Sequence, residues 1–311
     1  MKPHEILTKI LYATGKTQTS LAQEIGVSVV TLNTWVNEKS VPRKKMQERI
    51  EGLYRRYVSD TSITDTVLIE KQEKFAHYQK NVKNPFALLL RRPDIYDDFL
   101  IKVTYHTNSI EGSTFTEPNV RAVLFDDVTL RNKTLREHQE AKNHQAALGY
   151  VMNLVQEKHI TITEELIKKI HQILMNGILH NAGSYRNHGA RITGSHVATS
   201  NHASIEKHIQ ILVREMNITS KNPVEHIAKT HAHFEKIHPF SDGNGRVGRL
   251  LNILLCAKYT LAPTLIIRER KTIYYDNLSQ AQLHENYVPL ISFMYDSLFA
   301  GYELLQDKDT G

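Results

Sequence analysis

The apolar residues of this 311-residue chain recur three and four positions apart over most of its length, a pattern that folds as helices packed through apolar faces. EELIKKIHQILMNGIL, 164–179, and IEKHIQILVREM, 205–216, carry the period plainly. Only GARITGSHVAT, 189–199, alternates like a β-hairpin. The pattern therefore predicts a mostly α protein with one small β-hairpin. Turns are placed at Asn84-Pro85, Arg92-Pro93, Gly112 and Glu117-Pro118. No apolar run reaches the roughly 18 residues that a membrane span needs, which excludes insertion as a helix. The opening MKPHEILTKILYATGK is an amphipathic segment without a signal-peptide cleavage pattern, so secretion by that route is not expected. The single cysteine, Cys256 in RLLNILLCAKY, precludes an internal disulfide and a four-cysteine zinc module, and a cytoplasmic location is the expectation.

Charge is unevenly placed. Residues 1–57 hold ten basic side chains against five acidic ones, which is +5 of the formal net +6. Such a segment suits a polyanion, or is a solvated basic face. It reads as short helices: TSLAQEIGV, then SVVTLNTWVNEK, then a basic helix from Arg43 to about Tyr57. Leu21, Ile25, Val30, Leu32 and Trp35 are its candidate core, Gly26 its turn, and Ser28 the N-cap of the second helix. With LAQEIGVS, Thr31 and Trp35 in these places, residues 5–56 resemble a helix-turn-helix of the phage-repressor type. The resemblance implies a DNA partner, with Ser28, Val29, Thr31 and Asn33 as candidate base or phosphate contacts from the second helix. A bundle that binds protein instead is the alternative. The polar, β-branched VSDTSITDTVLIE, 58–70, has no helical period and opens a linker assigned to 58–74.

The densest chemistry lies at 238–249, HPFSDGNGRVGR. Gly243 to Gly248 spells the glycine spacing of a dinucleotide loop, with Glu269 at a ribose-binding distance, but the upstream VEHIAKTHAHFEKI has helical spacing where that fingerprint needs a strand. A zinc site of His231, His233 and His238 is disfavoured because a helical His-x-His pair points apart. Phosphate binding remains. Gly243 and Gly245 let backbone N–H groups face an anion at the start of the helix RVGRLLNILL. Arg246 and Arg249, three apart on that helix, both reach phosphates, and Asp242 suits a bridging Mg²⁺. His238 stands beside the cradle as a general base.

These twelve residues resemble, without departure, the HPFx(D/E)GNGRxxR signature of Fic-domain proteins, and the similarity extends over most of 85–300. The resemblance implies a Fic-type helical bundle that transfers AMP from ATP to a Tyr, Thr or Ser hydroxyl of a target protein. His238 would take the hydroxyl proton and Asp242 would hold Mg²⁺. Gly243, Asn244 and Gly245 would bind the α-phosphate, and Arg246 and Arg249 the β- and γ-phosphates. The hairpin, with Arg191, Ile192, Thr193 and Gly194, resembles the family's flap for the target backbone. Tyr274, Tyr275 and Asn277 in KTIYYDNL match its adenosine-side segment.

YDDFLIKVTYHTNSIEG, 96–112, reads as a helix ended by Gly112 at C′, which puts Glu111 in the last turn, where its charge opposes the macrodipole. Either Glu111 is solvated or a cation answers it. TNSIEG, 107–112, with Thr107 and Glu111, resembles the family's (S/T)xxxE(G/N) inhibitory motif, which implies that Glu111 pairs with Arg249 and excludes the γ-phosphate. The plan is thus a helix-turn-helix bundle at 1–57, the linker, a helical region with the inhibitory helix at 75–134 and a Fic core at 135–311. A transcriptional regulator whose core senses nucleotide, and an enzyme that removes AMP with Glu111 orienting water, are the alternatives. Self-association is left open.

Overall fold

The computed structural model describes residues 2–58, 65–126, 128–157, 159–191 and 197–306. Four helices come first: α1 (Pro3–Thr14), α2 (Gln18–Ile25), α3 (Val29–Val36) and α4 (Lys44–Tyr57). They are followed by α5 (Asp65–Asn81), α6 (Pro85–Arg91), α7 (Pro93–Ile110), α8 (Glu117–Phe125), α9 (Leu135–Val155) and α10 (Glu164–Leu174). The last five are α11 (Ile205–Asn217), α12 (Pro223–Ile237), α13 (Asn244–Lys258), α14 (Lys271–His284) and α15 (Val288–Gln306). Pro85, Pro93 and Pro118 each lie in the first turn of a helix, where a missing N–H removes no intrahelical bond. No helix among the described residues is long and apolar enough to cross a membrane.

Buried apolar side chains form two clusters, one from Ile6 to Tyr57 and one from Phe75 to Leu305. In the first, the amphipathic opening segment becomes α1 and contributes Ile6, Leu7 and Ile10. Leu21, Ile25, Leu32 and Trp35 are buried as expected, and the Ser28 hydroxyl caps α3 by accepting from the Thr31 N–H at 3.1 Å. Val30 departs from expectation. It is 75% exposed, because two residues along a helix from the buried Leu32 is the opposite face. α1 and α4 rest against the short 3₁₀ turn at Arg268–Arg270, and α1 also against α14.

The stretch assigned to a linker is helical from Asp65 onward, while 59–64 lie outside the described residues. Thr66, Val67 and Ile69 are poor helix formers, but α15 supplies what propensity lacks. Phe75 and Tyr78 pack on Tyr302, and Lys71 pairs with Asp296 at 2.8 Å. From the region at 75–134, Phe99, Ile110 and Val123 share one core with the helices after 135.

α13 runs through that core, packed against α7, α9, α10 and α12 and buried from Arg246 to Cys256. A helix enclosed on all faces keeps a fixed position, so the loop at its N-terminus is held on rigid ground.

Candidate functional site

α12 stops at His238, whose backbone is left-handed with φ 50°, and Pro239 bars any continuation. The next residues close on themselves. The Phe240 N–H donates to Asn244 Oδ1 and Asn244 Nδ2 donates to the Phe240 carbonyl, each at 2.9 Å. The side chain of Asn244 is buried and engaged inside the loop, which departs from the expected phosphate contact through its amide. What it leaves for a ligand is main chain. Gly243 caps α13 in the left-handed region at φ 79°, and a Cβ there would strike Met175.

His171 supports the loop from below. Its ring stacks on Phe240 with centroids 3.7 Å apart, its Nε2–H donates to the Asp242 carbonyl at 3.1 Å, and its Nδ1 accepts the Gly183 N–H at 2.8 Å. Both nitrogens are thereby assigned, and burial pulls its pKa down to about 4, so the ring is neutral. His238 is fixed in a similar way. Its Nδ1 faces the Glu235 carbonyl at 3.3 Å and donates to it, which leaves Nε2 as the free acceptor. Burial holds its pKa below the usual histidine value, with the Glu235 hydrogen bond acting the other way.

Arg186, which gave no signal in the sequence, ties this loop to the hairpin. It is 2% exposed and donates to the carbonyls of His238 at 2.8 Å, His188 at 2.5 Å and Ser200 at 2.6 Å. Replacing it with alanine strands several buried acceptors, so Arg186→Ala is expected to lose at least about 3 kcal/mol of stability, read as a fall in Tm by thermal unfolding. Arg191 and Ala198 form an antiparallel bridge, the isolated pairing that stands where the hairpin is expected. Ile192, Thr193 and Gly194 of the expected flap lie outside the described residues.

Asp242 and Arg246 belong to a ring of alternating charge. Asp242 Oδ1 accepts the Gly243 N–H at 2.6 Å and lies 3.5 Å from Arg246, and Asp242 Oδ2 pairs with Arg136 at 2.7 Å. Glu140 Oε1 closes the ring, 3.1 Å from Arg136 and 3.2 Å from Arg246. Sequence reading missed Arg136 and Glu140 because they lie on α9, a hundred residues upstream and without a motif.

Glu111 is the C-cap of α7, and Gly112 follows at φ 106°. Its carboxylate meets Arg249 Nη2 at 2.5 Å, while Arg249 Nε donates to the Thr107 hydroxyl at 2.6 Å. One guanidinium thus grips both residues of the expected motif. Burial opposes the Arg249 charge, but Glu111 beside it raises the pKa above the ordinary arginine value. The same carboxylate sits where a Cβ of Gly245 would project, so Glu111 lies over the backbone that opens α13.

The adenosine-side residues fare differently. Tyr274 is fully buried, bonded to His231 at 2.7 Å and stacked near Phe293, and Asn277 donates to the Pro289 carbonyl at 3.2 Å. Neither presents a face to a ligand; Tyr275 is half-buried beside Tyr274. His231 and His233 point to different partners, the latter to Glu215 and Tyr287, and the element before the glycines is the helix α12. A pocket of about 330 Å³ opens among Ala198, Ser200, Leu212, His233, Lys236 and Ile237, adjoining His238 in sequence.

Residues 161–256 match the family described as Fic/DOC. Two curated proteins, each called protein adenylyltransferase Fic, are similar. That of Nematostella vectensis is 32% identical over 61% of this chain, and that of Aedes aegypti 26% identical over 80%. The chain spans just under half the length of these relatives, 45% and 46%. Among solved structures, a Fic domain containing signaling protein from Bacteroides thetaiotaomicron matches with TM-score 0.66 at 22% identity, over 78% of this chain and all of that one. Fic-1 from C. elegans matches with TM-score 0.66 at 20% identity, over 92% and 84%. The fold of most of the chain is therefore that of solved Fic proteins.

Proposed function

We propose that this chain is a protein adenylyltransferase, moving AMP from ATP to a hydroxyl of a target protein, and that Glu111 restrains it. The observation that carries the reading is the pairing of a prepared anion cradle with a tautomer-fixed histidine at its rim. Arg249 holds an anion already, the carboxylate of Glu111, which lies over the backbone that opens α13. An ATP phosphate exchanged for that carboxylate meets the same donors.

His238 Nε2 takes the proton of the attacking hydroxyl. The hydroxyl oxygen forms a bond to the α-phosphorus, the bond from that phosphorus to the bridging oxygen breaks, and pyrophosphate leaves. The backbone N–H groups of the loop and the guanidiniums of Arg246 and Arg249 offset the charge that builds on the phosphate oxygens. Asp242 is the residue to hold Mg²⁺, since its Oδ2 already answers to a cation and one carboxylate suffices for an ion that keeps water and phosphate ligands. When bound, the ion neutralises phosphate charge. Tyr274 and Asn277 being buried, the nucleoside is assigned to the side of Tyr275, which lies near Glu111 and Arg249. A regulator that only sensed nucleotide would have no use for an oriented base. Incubation with ATP labelled at the α-phosphate and a cell lysate tests the assignment. Label on a protein, with the mass of AMP, is expected, and label from γ-labelled ATP instead would overturn it.

The N-terminal unit is assigned to duplex DNA in a reducing, cytoplasmic setting, where the buried thiol of Cys256 stays free. α1 and α4 face the core, while Val29, Val30 and Asn33 of α3 are exposed. Ser28 and Thr31 bond each other at 2.8 Å, and Asn33 donates to Gln18 at 3.0 Å, so α2 and α3 present one braced surface. Lys39, Arg43, Lys44 and Lys45 are exposed beside it. If these four meet phosphates, affinity falls roughly a hundredfold between about 50 and 200 mM salt, and alanine at Lys44 and Lys45 lowers the slope by about two ions. Fluorescence anisotropy with the full chain measures both. Absence of binding at low salt moves this unit to the protein-binding alternative.

A further inference from the structure

The ring of charges at the cradle is not symmetric. Arg246 is 2% exposed and enclosed with Glu140, whereas Arg136 projects from the first turn of α9 with its side chain 56% exposed. Both guanidiniums serve the same two carboxylates, Asp242 and Glu140. Asp242 is anchored by its Oδ1, which accepts the Gly243 N–H, while its Oδ2 turns to Arg136. A divalent ion drawn to Oδ2 therefore meets a guanidinium already in place. The ion repels both guanidiniums that face Asp242, and the one able to withdraw gives way. Arg246 is enclosed and cannot. Arg136 can, because its side chain reaches solvent and keeps Glu140 at 3.1 Å through Nε when Nη2 lets go.

We propose that Arg136 occupies the cation seat of Asp242 until a divalent ion displaces it, and so sets how much Mg²⁺ the nucleotide site requires. This rests on the assignment of Asp242 as the metal residue. In the ligand-free protein Arg136 acts as a removable counter-ion, keeping two carboxylates at the edge of the cradle neutralised. As a positioning residue it touches neither the reacting hydroxyl nor the phosphorus, and its signature is a metal requirement rather than a rate.

The test is calorimetric titration of the full chain with ADP at a series of Mg²⁺ concentrations. ADP is not consumed, and it lacks the γ-phosphate that competes with Glu111. Arg136→Ala is expected to lower the Mg²⁺ concentration at half effect by about two- to fivefold, the worth of an exposed ion pair, with ADP affinity at saturating Mg²⁺ within twofold of the parent. Arg136→Lys, which keeps the charge, should stay nearer the parent. An unchanged half-point in Arg136→Ala overturns the proposal while leaving Asp242 as the metal residue. Weaker ADP binding at saturating Mg²⁺ also overturns it, since Arg136 would then be a phosphate ligand. If ADP affinity ignores Mg²⁺ in the parent and in Asp242→Ala alike, the metal assignment itself falls and the proposal with it.

Discussion

Glu111→Gly is expected to raise adenylylation, self-modification included, by about ten- to a hundredfold at subsaturating ATP. A charge-assisted hydrogen bond of the Glu111–Arg249 kind is worth about 1.5–3 kcal/mol, and it must break before the γ-phosphate reaches the guanidinium. The substitution is gentle on the fold. Glu111 is the C-cap of α7 rather than an interior residue, and glycine is well tolerated at a helix end. Arg249→Ala removes the same ion pair yet is expected to show no gain, because the phosphate loses its receptor together with the latch. Labelled-ATP assays on the two variants with a verified target decide the matter. Equal gains from both, or none from Glu111→Gly, would return Glu111 to the role of a partly solvated cap.

His238→Ala should reduce transfer by about 10²- to 10⁴-fold while ATP affinity stays within a few-fold, since a general base acts on the transition state and little on the ground state. Its pH profile carries a sign as well. Burial lowers the His238 pKa, so the neutral, proton-accepting ring persists as pH falls through the ordinary histidine range. Transfer should therefore hold at pH values where an exposed histidine has already protonated, and fail only further down. Initial rates from a Glu111→Gly background, with and without the His238 change, separate the base from the latch. Undiminished activity in His238→Ala would refute the mechanism.

Much of this site is local in sequence, which is why it can be read there. The cradle, its arginines and His238 fall within twelve residues, and the glycines announce a backbone that must approach something closely. The end of α7 was also readable, because Gly112 marks it and a carboxylate at a helix C-terminus asks for a cation. What resisted was whatever depends on packing between distant elements. Tyr274 and Asn277 have the chemistry of a nucleoside site, but α15 covers them. Val30 looked like core until the helix phase set by Leu32 turned it outward. Arg186, Arg136 and Glu140 carry no local mark, for the partners that tie them to the loop, His238, Asp242 and Arg246, lie 52 to 106 residues away.

The closure of the loop by Asn244 also bears on what the cradle can discriminate. Its amide is turned inward on Phe240, so at Asn244 and the glycines beside it the loop offers a ligand peptide backbone rather than side chain. Such a surface answers to charge and curvature, and every nucleoside polyphosphate brings the same ones. The choice of base is thereby divorced from the chemistry of transfer. On the proposed reading, selection of the base falls to walls away from the loop, while Gly243 and Asn244 serve the loop's shape.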